Sequence, residues 1–549
     1  MSRAWAYLSI AATLVSALAF GQNTATETSA TVTPTTFELA DVHVSRPTNN
    51  PYMRGPMVAH GLYQIRYATM LDLIRTAYGV EAAKVVGGPN WLESDTFDVM
   101  AKLPAGITQE TAKPLLKALL VERFKLAVHN DNKPVPAYAL KFANKRAQLK
   151  QSDGSGNTTC NFNPPGPPTS GGPPAGPPLF SFSCSKMTMT AFSGALTNSI
   201  FLAPQYLNDR LVVDETELKG GWDFDLNFAP RGMLGPAFPV PARITLFDAV
   251  EKLGLKLDAV DIPMPVIVVD SVNRKPTANS PDVAEKLHEL PRPTEFEVAD
   301  LKRSAPDSRG MLRILPGGRV NIQGLTVKFL IEQAWNLTDE MISGMPKWMD
   351  SDRYDIVARA PVTDVDIDDL WTMLRALIVE RFQLTTHTEE RPLTAYDLVA
   401  VKPKMKKADP TSRTKYKEGP GADGKDPRDK NPILSRLVTC QNMTMAQFAE
   451  KLKDIAPGYI HSPVLDATGL EGAYDFTLNF SPAGLERAPT GPGATASGPA
   501  DTATVASEPN GSVTLFEAID KQLGLKLEEK KRPVAVLVID HAEQKPTEN

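Results

Sequence analysis

The chain has 549 residues, 59 Lys and Arg against 64 Asp and Glu, and a formal net charge of -5. So balanced a charge gives no electrostatic case for nucleic acid, where a strongly basic face is expected. Three cysteines are too few for a disulfide-built mini-domain, and 42% hydrophobic residues are enough for ordinary buried cores.

Residues 1–21 read as a signal peptide. Arg3 supplies the positive start, Ala4 to Leu18 the apolar stretch, and Ala17-Leu18-Ala19 a small-residue cleavage motif. The apolar run is short of the ~20 residues that span a bilayer, and no later stretch reaches that length. The expected location is therefore periplasmic or secreted. Residues 22–35 read as a flexible linker.

From Phe37 onward the chain is written twice. Phe37-Glu38-Leu39-Ala40-Asp41 returns as Phe296-Glu297-Val298-Ala299-Asp300, and Leu119-Leu120-Val121-Glu122-Arg123-Phe124 returns as Leu377-Ile378-Val379-Glu380-Arg381-Phe382. The offset is 259 at Phe37 and Phe296, 256 at Cys184 and Cys440, and 270 at Asp270 and Asp540, so one large insertion falls late in the second copy, near Ser481 to Ser512. A fixed internal repeat sets domain number before other inference. The expected domains are 36–277 and 294–549, joined by an interdomain linker over 278–293.

In chain order each copy begins with a strand (37–44), then a helix with Met70, Leu73, Ile74 and Ala77 on one face, matched by Val327, Leu330, Ile331 and Ala334. A strand over 96–101 leads to a second helix burying Leu115, Leu116, Leu119 and Leu120. Two strands, 125–129 and 136–142, follow as a Pro-bearing hairpin. A third helix starts at Thr188 or Thr444 and a fourth at Thr245 or Thr514, Thr being a good N-cap. Strands over 210–214 and 222–228 separate them, and closing hairpins pair 256–260 with 265–270 and 526–529 with 534–540. The class is α+β, with helices packed on mostly antiparallel sheets. A fainter echo makes each copy two related half-units: Phe97-Asp98, helix, Phe124-Lys125-Leu126, Pro turn and Ala137 to Leu140 against Phe224-Asp225, helix, Leu255-Lys256-Leu257, Pro turn and Val266 to Val269.

Cys160 and Cys184 flank a stretch rich in Pro and Gly, so a bond between them would remove denatured-state entropy worth on the order of 3 kcal/mol. Cys440 sits where Cys184 sits and is expected to be free and buried.

The search for chemistry yields little. His129 and His387 match, but neither has the further donors a zinc site needs; each is expected to hydrogen-bond at a strand end. Asp95 and Asp98 match Asp352 and Asp355, while Asp214 and Asp223 match Asp466 and Asp475. Paired acids can divide acid and base roles, but at strand starts and turns Asp more often satisfies backbone N–H groups. Asp364, Asp366 and Asp368 lack the Gly and Glu of a calcium loop and suit a helix start instead. Gly419 to Lys425 imitates a phosphate loop without its Ser or Thr, and no Gly-x-Ser-x-Gly elbow occurs. Lys402 to Lys430 reads as a solvated basic loop. Trp91 and Trp348 are candidate ligand contacts, since an indole on a loop offers large area and one polar handle; a core plug is the competing role. No catalytic residue, metal ligand or cofactor is assigned.

The ordered motifs, among them Gly87-Gly88-Pro89-Asn90-Trp91-Leu92-Glu93-Ser94-Asp95, Val212-Val213-Asp214-Glu215-Thr216-Glu217-Leu218-Lys219-Gly220-Gly221-Trp222 and Val536-Leu537-Val538-Ile539-Asp540-His541, resemble the soil-bacterium-associated secreted family known as domain of unknown function 3738, once per copy. The resemblance implies no activity. The second copy departs from it at Ala334-Trp335-Asn336-Leu337, where the first has Ala77-Tyr78-Gly79-Val80. Related domains resemble extracytoplasmic parts of peptidase-type sensors. The expectation is therefore a non-enzymatic binding or sensing protein for a small ligand or an envelope protein. A carboxylate-dependent hydrolase and a structural envelope component are the alternatives.

Overall fold

A computed structural model describes residues 35–46, 48, 52–143, 149–152, 157–163, 179–198, 204–207, 210–229, 244–287, 292–305, 308, 310–363, 365–419, 426–429, 434, 436–483 and 511–547. The signal peptide, the 22–34 stretch, most of the late insertion, Asp364 and 420–425 lie outside the described residues.

The first copy contains β1 (Leu39–Val44), β2 (Arg54–Ala59), β3 (Leu62–Thr69), α1 (Met70–Tyr78), β4 (Val85–Gly87), β5 (Thr96–Lys102), α2 (Lys113–Phe124) and β6 (Ala127–Phe142). It continues with β7 (Lys150–Gln151), β8 (Thr159–Asn163), β9 (Phe180–Met187), α3 (Met189–Thr197), α4 (Pro204–Leu207), β10 (Leu211–Asp214), β11 (Trp222–Phe228), α5 (Leu246–Lys252) and β12 (Leu255–Ser271). After α6 (Val283–Lys286), the second copy repeats the pattern: β13 (Val298–Arg303), β14 (Met311–Leu315), β15 (Arg319–Thr326), α7 (Val327–Trp335), β16 (Ile342–Ser343), α8 (Trp348–Ser351), β17 (Arg353–Arg359), α9 (Ile367–Arg381) and β18 (Thr385–Ala400). It closes with β19 (Lys406–Lys407), β20 (Lys415–Glu418), β21 (Arg436–Thr444), α10 (Met445–Ile455), β22 (Val464–Asp466), β23 (Ala473–Phe480), α11 (Leu515–Ala518) and β24 (Leu525–His541).

Each copy builds three four-stranded sheets, ordered β1-β5-β3-β2, β10-β6-β12-β4 and β7-β11-β9-β8 in the first and in the same topology in the second. The half-unit pattern is visible in the order β3-α1-β4-β5-α2-β6, which returns as β9-α3-β10-β11-α5-β12. The middle sheet joins the halves by exchange. Short β4 of the first half pairs in parallel with long β12 of the second, and short β10 of the second pairs with long β6 of the first. The outer sheets carry separate cores, one around Tyr63, Leu73, Phe97 and Phe124 and one around Phe192, Leu226, Phe228 and Leu255. Matching cores form around Tyr354, Leu374 and Phe382 and around Phe448, Leu478 and Phe480.

The helices start where Thr supplies a cap. Thr69, Thr245, Thr444 and Thr514 make capping boxes, and Thr188 and Thr326 accept one backbone N–H each.

The Pro-bearing hairpins are corrected. Residues 127–142 form one strand, as do 255–271 and 525–541, and each long strand pairs with the other half's long strand. Proline does not turn the chain here because Pro134 faces Pro263, and Pro392 faces Pro533. Lacking N–H, these pairs fall in the non-hydrogen-bonded class, and all four rings are exposed where neither long strand has a second neighbour. Strands β2, β3, β8 and β9 escape the sequence pattern, and in β3 a bulge between Ile65 and Ala68 breaks the alternation.

Candidate functional site

The repeated carboxylates come first, because they were the catalytic candidates. Asp98 accepts from the Tyr67 N–H at 2.9 Å and from Ser45 Oγ at 2.5 Å. Asp355 accepts from the Gly324 N–H at 2.9 Å and from Ser304 Oγ at 2.5 Å. In the second half-units Asp223 accepts from Lys186 N–H and Asp475 from Asn442 N–H, both at 2.8 Å. All four donors sit at bulges with positive φ: 52° at Tyr67, 61° at Gly324, 59° at Lys186 and 47° at Asn442. A bulge leaves an N–H outside the ladder, and each carboxylate satisfies it. The half-unit echo is therefore in register at Asp98 and Asp223, and the pairing of Asp98 with Asp225 is corrected by two residues. Aligning half-units on that register would have exposed the four-fold recurrence.

Asp214 and Asp466 close turns on the N–H and hydroxyl of Thr216 and Thr468. Asp95 binds Arg274 through two bonds, of 2.5 and 3.0 Å. Gln544 and Arg303 hold Asp352 below the usual carboxylate range. His129 Nδ1 lies 2.8 Å from Asp270 and His387 Nδ1 2.9 Å from Asp540, tying the ends of the long strands in both copies. Among the described residues no group of three or more His, Cys, Asp or Glu is placed to hold a metal ion.

Cys160 is bonded to Cys184, facing it across β8 and β9. Cys440 is buried and unbonded, and burial pushes its thiol up to about 12. Trp91 is buried in the first core, edge-on to Phe97 at 6.3 Å. Trp348 is half-buried, tilted against Phe382 at 5.6 Å. Neither indole lines the cavity beside the start of β1.

A cavity of about 320 Å³ opens between the start of β1, α2 from Leu115 to Arg123 and the segment leaving β12. Phe37, Leu115 and Leu119 supply its apolar surface, and Glu122 stands at its polar side. Arg123, 5% exposed, closes one end. Its guanidinium donates to the carbonyl of Ala40 at 3.2 Å, to that of Thr277 at 2.6 Å, and to the Asn279 side chain. Burial pulls its pKa below the ordinary arginine value. Asn279 in turn accepts from the Val42 N–H at 3.1 Å and donates to Asp41. The segment between the copies is thus stitched to the edge of β1 through residue 283, where Val283 lines the cavity.

Contacts between the copies run in both directions. Arg413 donates to the carbonyls of Val85 and Gly87 at 2.9 and 2.8 Å and to Glu93 at 3.0 Å, which Lys415 also reaches at 2.9 Å. In the other direction Arg54 lies over the Tyr67 ring and meets Asp366 at 3.0 Å and Asp368 at 3.1 Å. Arg292 lies 3.7 Å from buried Asp369, whose pKa burial raises. The acids at the start of α9 cap it, as their sequence position implied, and they also dock the first copy, which no local pattern could reveal.

Paired α+β units of this kind, each of two interleaved halves with its acids committed to bulges, define a duplicated structural module. The chain belongs to the family described as protein of unknown function (DUF3738), which matches residues 71–272 and 328–542. No curated protein and no solved structure matches it. No helix among the described residues is long and apolar enough to cross a membrane.

Proposed function

We propose that this is an exported binding or sensing protein whose ligand seat is the cavity beside β1, with no catalytic role for the duplicated acids. The observation carrying this reading is the four-fold use of Asp98, Asp223, Asp355 and Asp475 on bulge N–H groups. A carboxylate held by backbone donors in every half-unit serves the fold, whereas catalytic acids need environments that separate their pKa values. The cavity supports the binding half of the reading in being concave and equipped with fixed polar groups, as ligand sites are, although its own surface is more polar than apolar. Export is supported by the Arg3-led apolar N-terminus and by the Cys160–Cys184 bond, since disulfides persist in oxidising compartments.

The experiment is a thermal-shift assay of the full chain against a cell-envelope extract of small molecules and peptides, run beside Leu119→Trp, which fills the cavity. A rise in Tm with the native chain that the variant lacks is expected. Equal responses from both would remove the cavity from the account. Turnover of peptides or glycans abolished by Asp95→Asn or Asp214→Asn would establish the hydrolase instead.

A further inference from the structure

We propose that the outer edge of β16 in the second copy is a docking seat for a partner protein's loop that presents an arginine and, two residues on, a lysine. The first copy shows such a seat filled. Its β4 edge takes Arg413 of the second copy, which donates to the carbonyls of Val85 and Gly87 at 2.9 and 2.8 Å and to Glu93 at 3.0 Å. Lys415 brings a second cation to Glu93 at 2.9 Å, and the Thr414 N–H bonds the Asn90 carbonyl at 2.9 Å. A planar guanidinium can fork between a carboxylate and neighbouring carbonyls, which fixes the loop's position as well as its charge.

The second copy rebuilds this seat and leaves it open. Strand β16 lies on β24 in the register that β4 has on β12, Ile342 opposite Leu537 as Val85 is opposite Ile267. Gly87 and Gly344 follow with φ of 71° and 73°. The carbonyls of Ile342 and Gly344 therefore take the places of those of Val85 and Gly87, and among the described residues no side chain donates to either. Asp350 stands where the first copy has Glu93. Exposure separates the two seats: the Glu93 side chain is 18% exposed beneath Arg413, whereas that of Asp350 is 69% exposed.

Charge names the occupant. Glu332, Asp339 and Asp350 surround Lys328, which bonds Asp339 at 2.6 Å and lies 3.7 Å from Asp350. With Lys347 of the same segment counted, the acids remain in excess. Arg391, which reaches the Ser343 side chain, is itself paired with Glu389. A basic loop is drawn to such a surface and an acidic one is repelled.

A second molecule of this chain has no spare plug. Its Arg413 is already seated on its own first copy, and the matching loop of that copy lacks the residue. Thr158 donates to the Lys186 carbonyl as Thr414 donates to that of Asn442, which puts Asn157 where Arg413 stands. The occupant is therefore a separate protein, and its seat is independent of the cavity beside β1.

The test uses the full chain and a blocked peptide of residues 411–417, Thr-Ser-Arg-Thr-Lys-Tyr-Lys, with a control in which the arginine and the first lysine are alanine. Backbone amide shifts in an NMR titration should appear over 342–350, with affinity about tenfold lower for the control. Asp350→Lys should lower the affinity for the first peptide by a similar factor, and its exposed position leaves the fold intact. Shifts over 85–93 in place of 342–350 would mean that the peptide only displaces Arg413 from the first copy, and would overturn the seat. So would the absence of shifts at millimolar peptide, or equal affinity for the control. Self-association of the chain, read by sedimentation and lost in Asp350→Lys, would make the occupant a second copy and overturn the separate partner.

Discussion

Cys184 and Cys440 occupy one place in two equivalent sheets, yet the residues opposite them differ. In the first copy β8 presents Cys160 across from Cys184, and the two are bonded. In the second, β20 presents Tyr416 across from Cys440. A similar divergence appears on the middle sheets, where Ala139 of β6 is buried without charge while Asp397 of β18 is gripped by Lys530 and Arg532 at 2.8 Å. Devices that satisfy the backbone, by contrast, recur in both copies: Thr caps and bulge aspartates. The fold tolerates exchange of covalent, apolar and ionic cross-strand pairs, provided the unpaired backbone groups keep their partners. That is the expected order of costs, since an orphaned buried N–H loses its full desolvation penalty whereas a side-chain pair can be swapped for another of similar shape.

The largest expected effect tests the sulfur pair. Breaking Cys160–Cys184, separated by 24 residues, by a Cys160→Ser change should destabilise the first copy by about 3 kcal/mol on loop entropy. In reverse, Tyr416→Cys should form a second bond to Cys440, read by non-reducing peptide mapping. Failure of that bond to form would mean the two sheets are less alike than their register. Next, Asp98→Ala and Asp355→Ala should each cost about 2 kcal/mol, because a bulge N–H and a Ser hydroxyl lose their acceptor together. Denaturant melts in which one change is silent would break the equivalence of the copies.

Docking between the copies comes third. Arg413→Ala should cost about 1 kcal/mol or more, since the guanidinium is largely buried and leaves the Val85 and Gly87 carbonyls behind. Its readout is an increased radius of gyration by small-angle scattering. Smallest is His129→Gln, with both partners about half exposed, which should shift stability by less than about 0.5 kcal/mol.

The Cys440 thiol adds a pH dependence of defined sign. Its folded pKa, about 12, lies above the about 8.5 of an unfolded thiol, so the native state holds this proton more tightly. Its stabilising contribution is complete below about pH 8.5 and is lost progressively as pH rises toward 12. Iodoacetamide at pH 8 should therefore label Cys440 only after unfolding.

What the sequence made legible was whatever the chain repeats or encodes locally. Helix faces such as Leu115, Leu119 and Leu120 follow a 3.6-residue period and are buried as that period requires. Thr245 and Thr514 announce caps because capping is settled within four residues. The long strands were misread because proline normally interrupts a ladder, and only pairing Pro134 with Pro263 across the sheet removes the conflict. The cavity was illegible for a different reason. Its walls come from residues 36–40, 115–123 and 277–283, and nothing in the sequence states that the segment after β12 returns to the edge of β1. Arg413 falls in the stretch 402–430 that reads as a solvated basic loop for the same cause, its partner Glu93 lying in the other copy.

The exchange of short strands carries a consequence for how the chain is made. Because Val85 to Gly87 wait for Ile267 to Val269, a ribosome must deliver nearly the whole first copy before its middle layer can close. Until then two outer sheets stand with partial cores and an unsealed seam between them. Nascent first copies released before residue 271 would lack their last cross-strand partner and present that seam to proteases and to one another.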